Sequence, residues 1–146
     1  MSVIFRDCVL IAGIFCLPVM AVERGAAARA RVPAQEAVVQ TDGAAVYKAP
    51  DFDALGFELL GGRLLAGESG PVAQFMYQDA GGRRVTLYVR RAVAGNHETA
   101  FRHATENGVE VFYWIDRDFG YALSGQIAHA DMKKLADAAY REMMGS

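Results

Sequence analysis

The chain has 146 residues, a hydrophobic content of 53% and a formal net charge of -2. That length supplies one domain with a real core. So small a net charge does not point to a protein that holds nucleic acid or an anionic membrane by electrostatics.

Residues 8–22, CVLIAGIFCLPVMAV, run for fifteen residues without a charge. A membrane-spanning helix needs about 20 apolar residues, and the apolar core of a secretory signal runs roughly 7–15. Pro18 followed by Val19-Met20-Ala21 has the form of a helix break before a small-residue cleavage site. Arg6 beside Asp7 gives a weakly charged leader, and a short anchor with Arg6 snorkelling is the other reading. Residues 1–22 are therefore expected to be a signal peptide or a membrane anchor, with the body outside the cytoplasm in either case. Both cysteines, Cys8 and Cys16, lie in this run. The rest of the chain thus has no disulfide framework, no thiolate nucleophile and no Cys-based zinc site. Asp7 before Cys8 and Phe15 before Cys16 argue against a lipidated cysteine.

Residues 23–40 read as a linker, rich in Ala and in Arg24, Arg29 and Arg31, with Pro33 and no sustained apolar period. Arginines beside an apolar run favour the cytoplasmic side, which opposes the export reading. Residues 41–146 are expected to form a single extracytoplasmic α+β domain. Residues 44–47 suggest a turn of helix, and 51–56 a turn closed by Gly56. Phe57 to Leu60 and Arg63 to Leu65 read as two short strands or one bent strand, with a bulge or tight turn at Gly61-Gly62.

Residues 70–91, GPVAQFMYQDAGGRRVTLYVRR, carry the strongest hairpin pattern. Asp79-Ala80-Gly81-Gly82 supplies the positive φ that a tight turn needs. Val85, Leu87 and Val89 alternate with Arg84, Thr86, Tyr88 and Arg90. Residues 98–106 suggest a short helix, capped by Asn96 and ended in the left-handed manner by Asn107-Gly108. Residues 109–116, VEVFYWID, read as a strand, Arg117-Asp118 as a tight turn, and 119–123 as the return strand. Residues 128–144 read as an amphipathic helix with Met132, Leu135, Ala136, Ala139, Tyr140 and Met143 on one stripe.

The fold expected from these elements is α+β. It is an antiparallel, meander-like sheet of about five or six strands with the C-terminal helix packed on one face. With Val85, Leu87, Val89, Val109, Val111, Tyr113 and Ile115 set toward the helix, the other face would carry Met76, Tyr88, Phe112 and Trp114, framed by Arg84, Arg90 and Glu110. Such a face is too apolar for plain exposure. Local chain covers it, or it receives a partner or a small apolar ligand. Met76, Arg84, Tyr88, Arg90, Glu110, Phe112 and Trp114 are therefore the candidate partner-binding residues.

No catalytic constellation appears. Ser69 and Ser124 lack a G-x-S-x-G elbow, and Asp116 and Asp118 around Arg117 read as a solvated turn rather than a glycosidase pair. His97, His103 and His129 are dispersed and read as surface or capping residues, so no metal site and no cofactor are expected. The helix methionines suit core packing, and Arg83, Arg84, Arg90 and Arg91 suit solvation.

Six strings in order carry a family resemblance: Ala54-Leu55-Gly56-Phe57, Leu60-Gly61-Gly62-Arg63-Leu64-Leu65, Gly70 to Tyr77, Gly82 to Arg90, Phe112-Tyr113-Trp114-Ile115 and Gly120 to Gly125. Together, over roughly residues 50–142, they resemble the C-terminal extracytoplasmic domain of bacterial transmembrane anti-sigma factors. The resemblance implies a non-enzymatic regulatory or sensor domain in the periplasm, secreted by a cleaved signal or anchored in the inner membrane. It implies a periplasmic or membrane protein as partner, a sigma factor only where a cytoplasmic segment precedes the apolar run, and no nucleic acid. The alternative is a stand-alone extracytoplasmic binding module for a peptide or small ligand.

Overall fold

In a computed structural model the described residues are 8–11, 15–18, 38–40, 46–68, 70–92 and 99–144. The expected cleavage site at Ala21, most of the linker, Ser69 and His97 lie outside them. Ten strands and one α-helix follow in order: β1 (Cys8–Ile11), β2 (Phe15–Pro18), β3 (Val38–Gln40), β4 (Val46–Lys48), β5 (Phe57–Gly67), β6 (Gly70–Asp79), β7 (Arg84–Arg91), β8 (Thr99–Glu106), β9 (Val109–Asp116), β10 (Phe119–Gly125) and α1 (His129–Met144). A 3-10 turn, Asp53–Leu55, is closed by Gly56 at a φ of 81°.

Six strands form one antiparallel sheet in the order β5-β6-β7-β10-β9-β8, with α1 on one face. It is a meander in two halves. β5, β6 and β7 run in sequence. The chain then crosses to the far edge, and β8, β9 and β10 come back inward so that β10 pairs with β7. β5 is one bent strand, and its register shifts between Leu59 and Gly61, where Gly61 has a φ of 155°.

Two local readings are corrected, at residues 99–106 and at Val46–Lys48. Residues 99–106 form strand β8, not a helix. Asn107 and Gly108 do take positive φ, 52° and 76°. Two such residues in succession close a two-residue hairpin, and the turn folds β8 onto the strongly β-forming β9. Helix propensity of Ala and Glu loses to cross-strand pairing. Val46–Lys48 is a strand rather than a turn of helix, and it pairs with Val38–Gln40, the end of the expected linker. In the apolar run, β1 and β2 pair antiparallel, with Cys8 opposite Pro18 and Ile11 opposite Phe15. Val9, Ile11 and Phe15 suit such a pairing. No helix among the described residues is long and apolar enough to cross a membrane.

The main core lies between α1 and the sheet. Ala73, Phe75 and Tyr77 of β6 face it with Val85, Leu87 and Val89 of β7, Tyr121 and Leu123 of β10, and Met132, Leu135, Ala136 and Ala139 of the helix. The lead-in to β5 closes one end. Phe52 packs on Tyr77 with ring centres 4.6 Å apart, the Tyr77 hydroxyl donates to the Pro50 carbonyl at 2.8 Å, and the Asp51 amide donates to Glu142 at 2.8 Å. Burial drives the Tyr77 phenol pKa far upward.

Leu135 is 1% exposed, whereas Lys134 points to solvent and pairs with Asp131 at 3.5 Å. Leu135→Ala should therefore cost about 2–5 kcal/mol, and Lys134→Ala should stay within about 0.5 kcal/mol of the parent. Urea midpoints for the two variants measure this, and equal midpoints would contradict the helix face described here.

Candidate functional site

The seven residues expected to share the partner face divide between the two sides of the sheet. Pairing fixes the division. Trp114 lies opposite Tyr121 and Phe112 opposite Leu123, while Tyr121 and Leu123 lie opposite Val89 and Leu87. Strand side chains alternate, so Glu110, Phe112 and Trp114 face α1, and Val111, Tyr113 and Ile115 face away. This corrects the expected orientation of β9. Both stripes of VEVFYWID are apolar at their centres, so alternation alone did not decide the side. The larger aromatics fill the gap under the helix. Trp114 is 1% exposed and stacks on Tyr121 with ring centres 5.1 Å apart and planes at 14°. Phe101 packs edge-on against Trp114 at 5.0 Å and against Tyr140 of α1 at 5.4 Å.

Met76, Arg84, Tyr88 and Arg90 remain on the face away from α1. At its centre Val72, Tyr88, Val111, Tyr113 and Ala122 form a second buried apolar cluster. A polar ladder crosses β5, β6 and β7 beside it. Arg63 Nε donates to Gln74 Oε1, and Gln74 Nε2 donates to the Tyr88 hydroxyl at 3.1 Å. Gln74 is buried, and burial raises the Tyr88 phenol pKa against the opposing hydrogen bond from Gln74. Arg84 is exposed at the rim and donates to Gln78 Oε1 at 3.2 Å. Arg90 is buried, and desolvation lowers its pKa. The face is thus a sealed centre with a basic and polar rim of Arg63, Arg84 and Gln78, beside the half-buried Met76. It can offer hydrogen-bond donors and charge at its edge. Ser124 lies on this side, across the sheet from His103 and His129.

On the helix side, at the other end of β9, the structure assembles a cluster that sequence reading kept dispersed. The Asn107-Gly108 turn sets Thr105 opposite Glu110 and His103 opposite Phe112, which puts His103, Thr105 and Glu110 on one face. α1 then begins at His129 directly above them. His129 Nδ1 is 3.2 Å from His103 Nε2 and 3.2 Å from Glu110 Oε2, and His103 Nε2 touches Glu110 Oε2. Thr105 Oγ1 donates to Glu110 Oε1 at 2.8 Å and lies 3.2 Å from His103 Nε2. The Thr105 hydroxyl and then His103 hold the Glu110 carboxyl below the usual range against the opposing effect of burial, with a smaller contribution from His129. The ligand atoms of His103, Glu110 and His129 all lie within 4.8 Å of one another, and among the described residues they form the one group able to hold a metal ion. The pairing of His103 with Glu110 was legible once Asn107-Gly108 is taken as a hairpin turn. The arrival of His129 required the packing of α1.

An open cavity of about 180 Å3 lies between the lead-in segment and the end of α1, lined by Tyr47, Pro50, Phe119, Tyr121, Glu142 and Met143 among others. Tyr121 in its wall has a phenol pKa pushed up to about 12 by burial. Asp116 and Asp118 belong to the β9–β10 turn, where Arg117 takes a φ of 49° and its guanidinium lies 3.9 Å from Asp116.

Trp114 is the chain's one tryptophan, so its fluorescence reports the orientation of β9 directly. Acrylamide should quench it weakly in the folded chain and strongly after unfolding in urea; equal quenching in both states would contradict its place under α1. Compared with protein-family models, with curated proteins and with solved structures, the chain gives no match.

Proposed function

We propose that residues 46–144 are a non-enzymatic extracytoplasmic regulatory module, of the kind that transmembrane anti-sigma factors carry outside the membrane. One observation carries the reading: the six resembling strings lie in the six-stranded sheet or in the turns that lead into its strands. Ala54 to Phe57 spans the Gly56 turn into β5, Leu60 to Leu65 includes the β5 bulge, and the others lie in or lead into β6, β7, β9 and β10. The last four strings supply core residues, whereas of the first two only Phe57 is buried. The regulatory contact falls to the face away from α1, through Met76 and Arg84 at its rim, with Tyr88 and Arg90 buried behind them. A periplasmic or membrane protein is the partner proposed for that rim. A small-ligand or peptide module acting on its own is the second reading, and the cavity beside Tyr47 and Tyr121 is the feature that favours it.

Export is part of the proposal and rests on the uncharged run from Cys8 to Val22. Alkaline phosphatase fused after Ser146 should be active, and a cytoplasmic reporter at the same position inactive. In the native bacterium, removal of the chain should change transcription from an extracytoplasmic-function sigma promoter. Wild-type protein should restore it. Arg84→Glu, whose side chain is exposed, should leave the thermal midpoint unchanged and fail to restore it. Sigma-dependent transcription that ignores loss of the chain would remove the regulatory reading and leave the binding module.

A further inference from the structure

We propose that His103, Glu110 and His129 form a binding site for a divalent first-row transition-metal ion, with zinc the representative. The proposal is independent of the regulatory reading, since it rests on the cluster alone.

The argument begins with donor geometry. Zinc sits about 2.0–2.1 Å from a histidine nitrogen and about 2.0–2.2 Å from a carboxylate oxygen, so tetrahedral donor atoms lie roughly 3.4 Å apart. His129 Nδ1 stands 3.2 Å from His103 Nε2 and 3.2 Å from Glu110 Oε2. His129 Nδ1 thus already stands from both other donors at nearly the separation that an ion requires, whereas His103 Nε2 and Glu110 Oε2 touch and must part to admit one. The convergence of two imidazole nitrogens is itself informative. Between neutral rings, one of the two facing nitrogens must supply the proton and the other the lone pair. Both also approach the same carboxylate oxygen. A cation at their common focus accepts all three lone pairs at once.

The surroundings are those of a supported site. Glu110 Oε1 accepts from Thr105 Oγ1 at 2.8 Å, which orients the carboxylate and leaves Oε2 to the histidines. Outer partners of this kind fix first ligands and tune their basicity. The Phe112 ring lies 5.0 Å from the His103 ring and 5.2 Å from the His129 ring, forming an apolar floor. All three ligands stand on regular elements: β8, β9 and the first residue of α1. The Glu110 side chain is 15% exposed, and that of His129 is 54% exposed. The site is thus reachable from solvent on the His129 side, and an ion there keeps a position for water or another ligand. Two imidazoles with one carboxylate suit zinc, nickel, copper or iron, whereas calcium and magnesium prefer oxygen donors throughout. A bound ion would tie the start of α1 to the β8–β9 hairpin at the sheet's edge.

The test uses the full chain with Cys8→Ser and Cys16→Ser, so that thiolates do not compete for metal. Zinc is titrated against a chromogenic chelator. The parent should bind one equivalent, and zinc should raise its thermal midpoint, as any ligand of the folded state does. Glu110→Gln, His103→Gln and His129→Asn should each weaken binding by about 100-fold or more, and Thr105→Val by roughly 10-fold, as loss of an outer-shell partner does. His97→Gln should bind as the parent does. The His129 side chain is 54% exposed, and exposed substitutions cost little, so His129→Asn should keep its metal-free circular dichroism and midpoint while losing the zinc-induced shift. Failure of the parent to take up an equivalent of zinc would overturn the proposal. So would unchanged zinc affinity in the His103 and His129 variants, or an equal midpoint shift with calcium.

Discussion

The close approach of three elements at Gly125 is the constraint on which the rest of the structure depends. A Cβ at this position would lie 2.8 Å from the Arg84 carbonyl oxygen, 3.1 Å from Val85 Cγ2 and 3.3 Å from Met132 Cε. Only a residue without a side chain lets β7, β10 and α1 meet there. Gly125 is paired with Val85 on one side and Glu110 on the other. The same residue that admits the helix thus fixes the register of the three central strands. Four residues later the chain starts α1, and His129 arrives over Glu110. The main core and the His103–Glu110–His129 cluster follow from one close contact.

Much of this architecture was legible because its signals are periodic and local. The β6–β7 hairpin shows a glycine turn between alternating runs, and it forms as read, with Phe75 opposite Leu87. α1 shows a 3.6-residue stripe, and Met132, Leu135, Ala136 and Ala139 are all buried. What could not be read locally was any choice between two locally adequate answers. Residues 98–106 contain good helix formers, and a left-handed Asn-Gly pair ends a helix or turns a hairpin equally well. The adjacent β9 settled it, because an unpaired strand edge beside β9 was available to be filled. The orientation of β9 failed for a similar reason. The stripe of Glu110, Phe112 and Trp114, expected on the face away from the helix, lies against it. In the fold the Glu110 carboxylate sits at the rim among His103, Thr105 and His129, where a charge is satisfied, and Phe112 and Trp114 follow it inward.

The candidate site was legible only in part, and the missing part is tertiary. Met76, Arg84, Tyr88 and Arg90 do share a face, since they belong to the hairpin that sequence described well. Glu110, Phe112 and Trp114 belong to the opposite side. The face away from α1 consequently has fewer aromatics than expected and more polar organisation, built on Arg63, Gln74 and Tyr88. The His103–Glu110–His129 cluster joins residues separated by 26 positions between the two histidines, a spacing with no periodic meaning.

The central claim is that the strand register and the start of α1 bring Glu110, Phe112 and Trp114 to the helix side. Proton–proton Overhauser spectroscopy on the metal-free, full-length chain tests it most directly. His129 ring protons should give cross-peaks to the rings of His103 and Phe112, whose centres lie 4.3 Å and 5.2 Å away. The absence of both cross-peaks in a folded and fully assigned protein would contradict the register, the helix position and the cluster together.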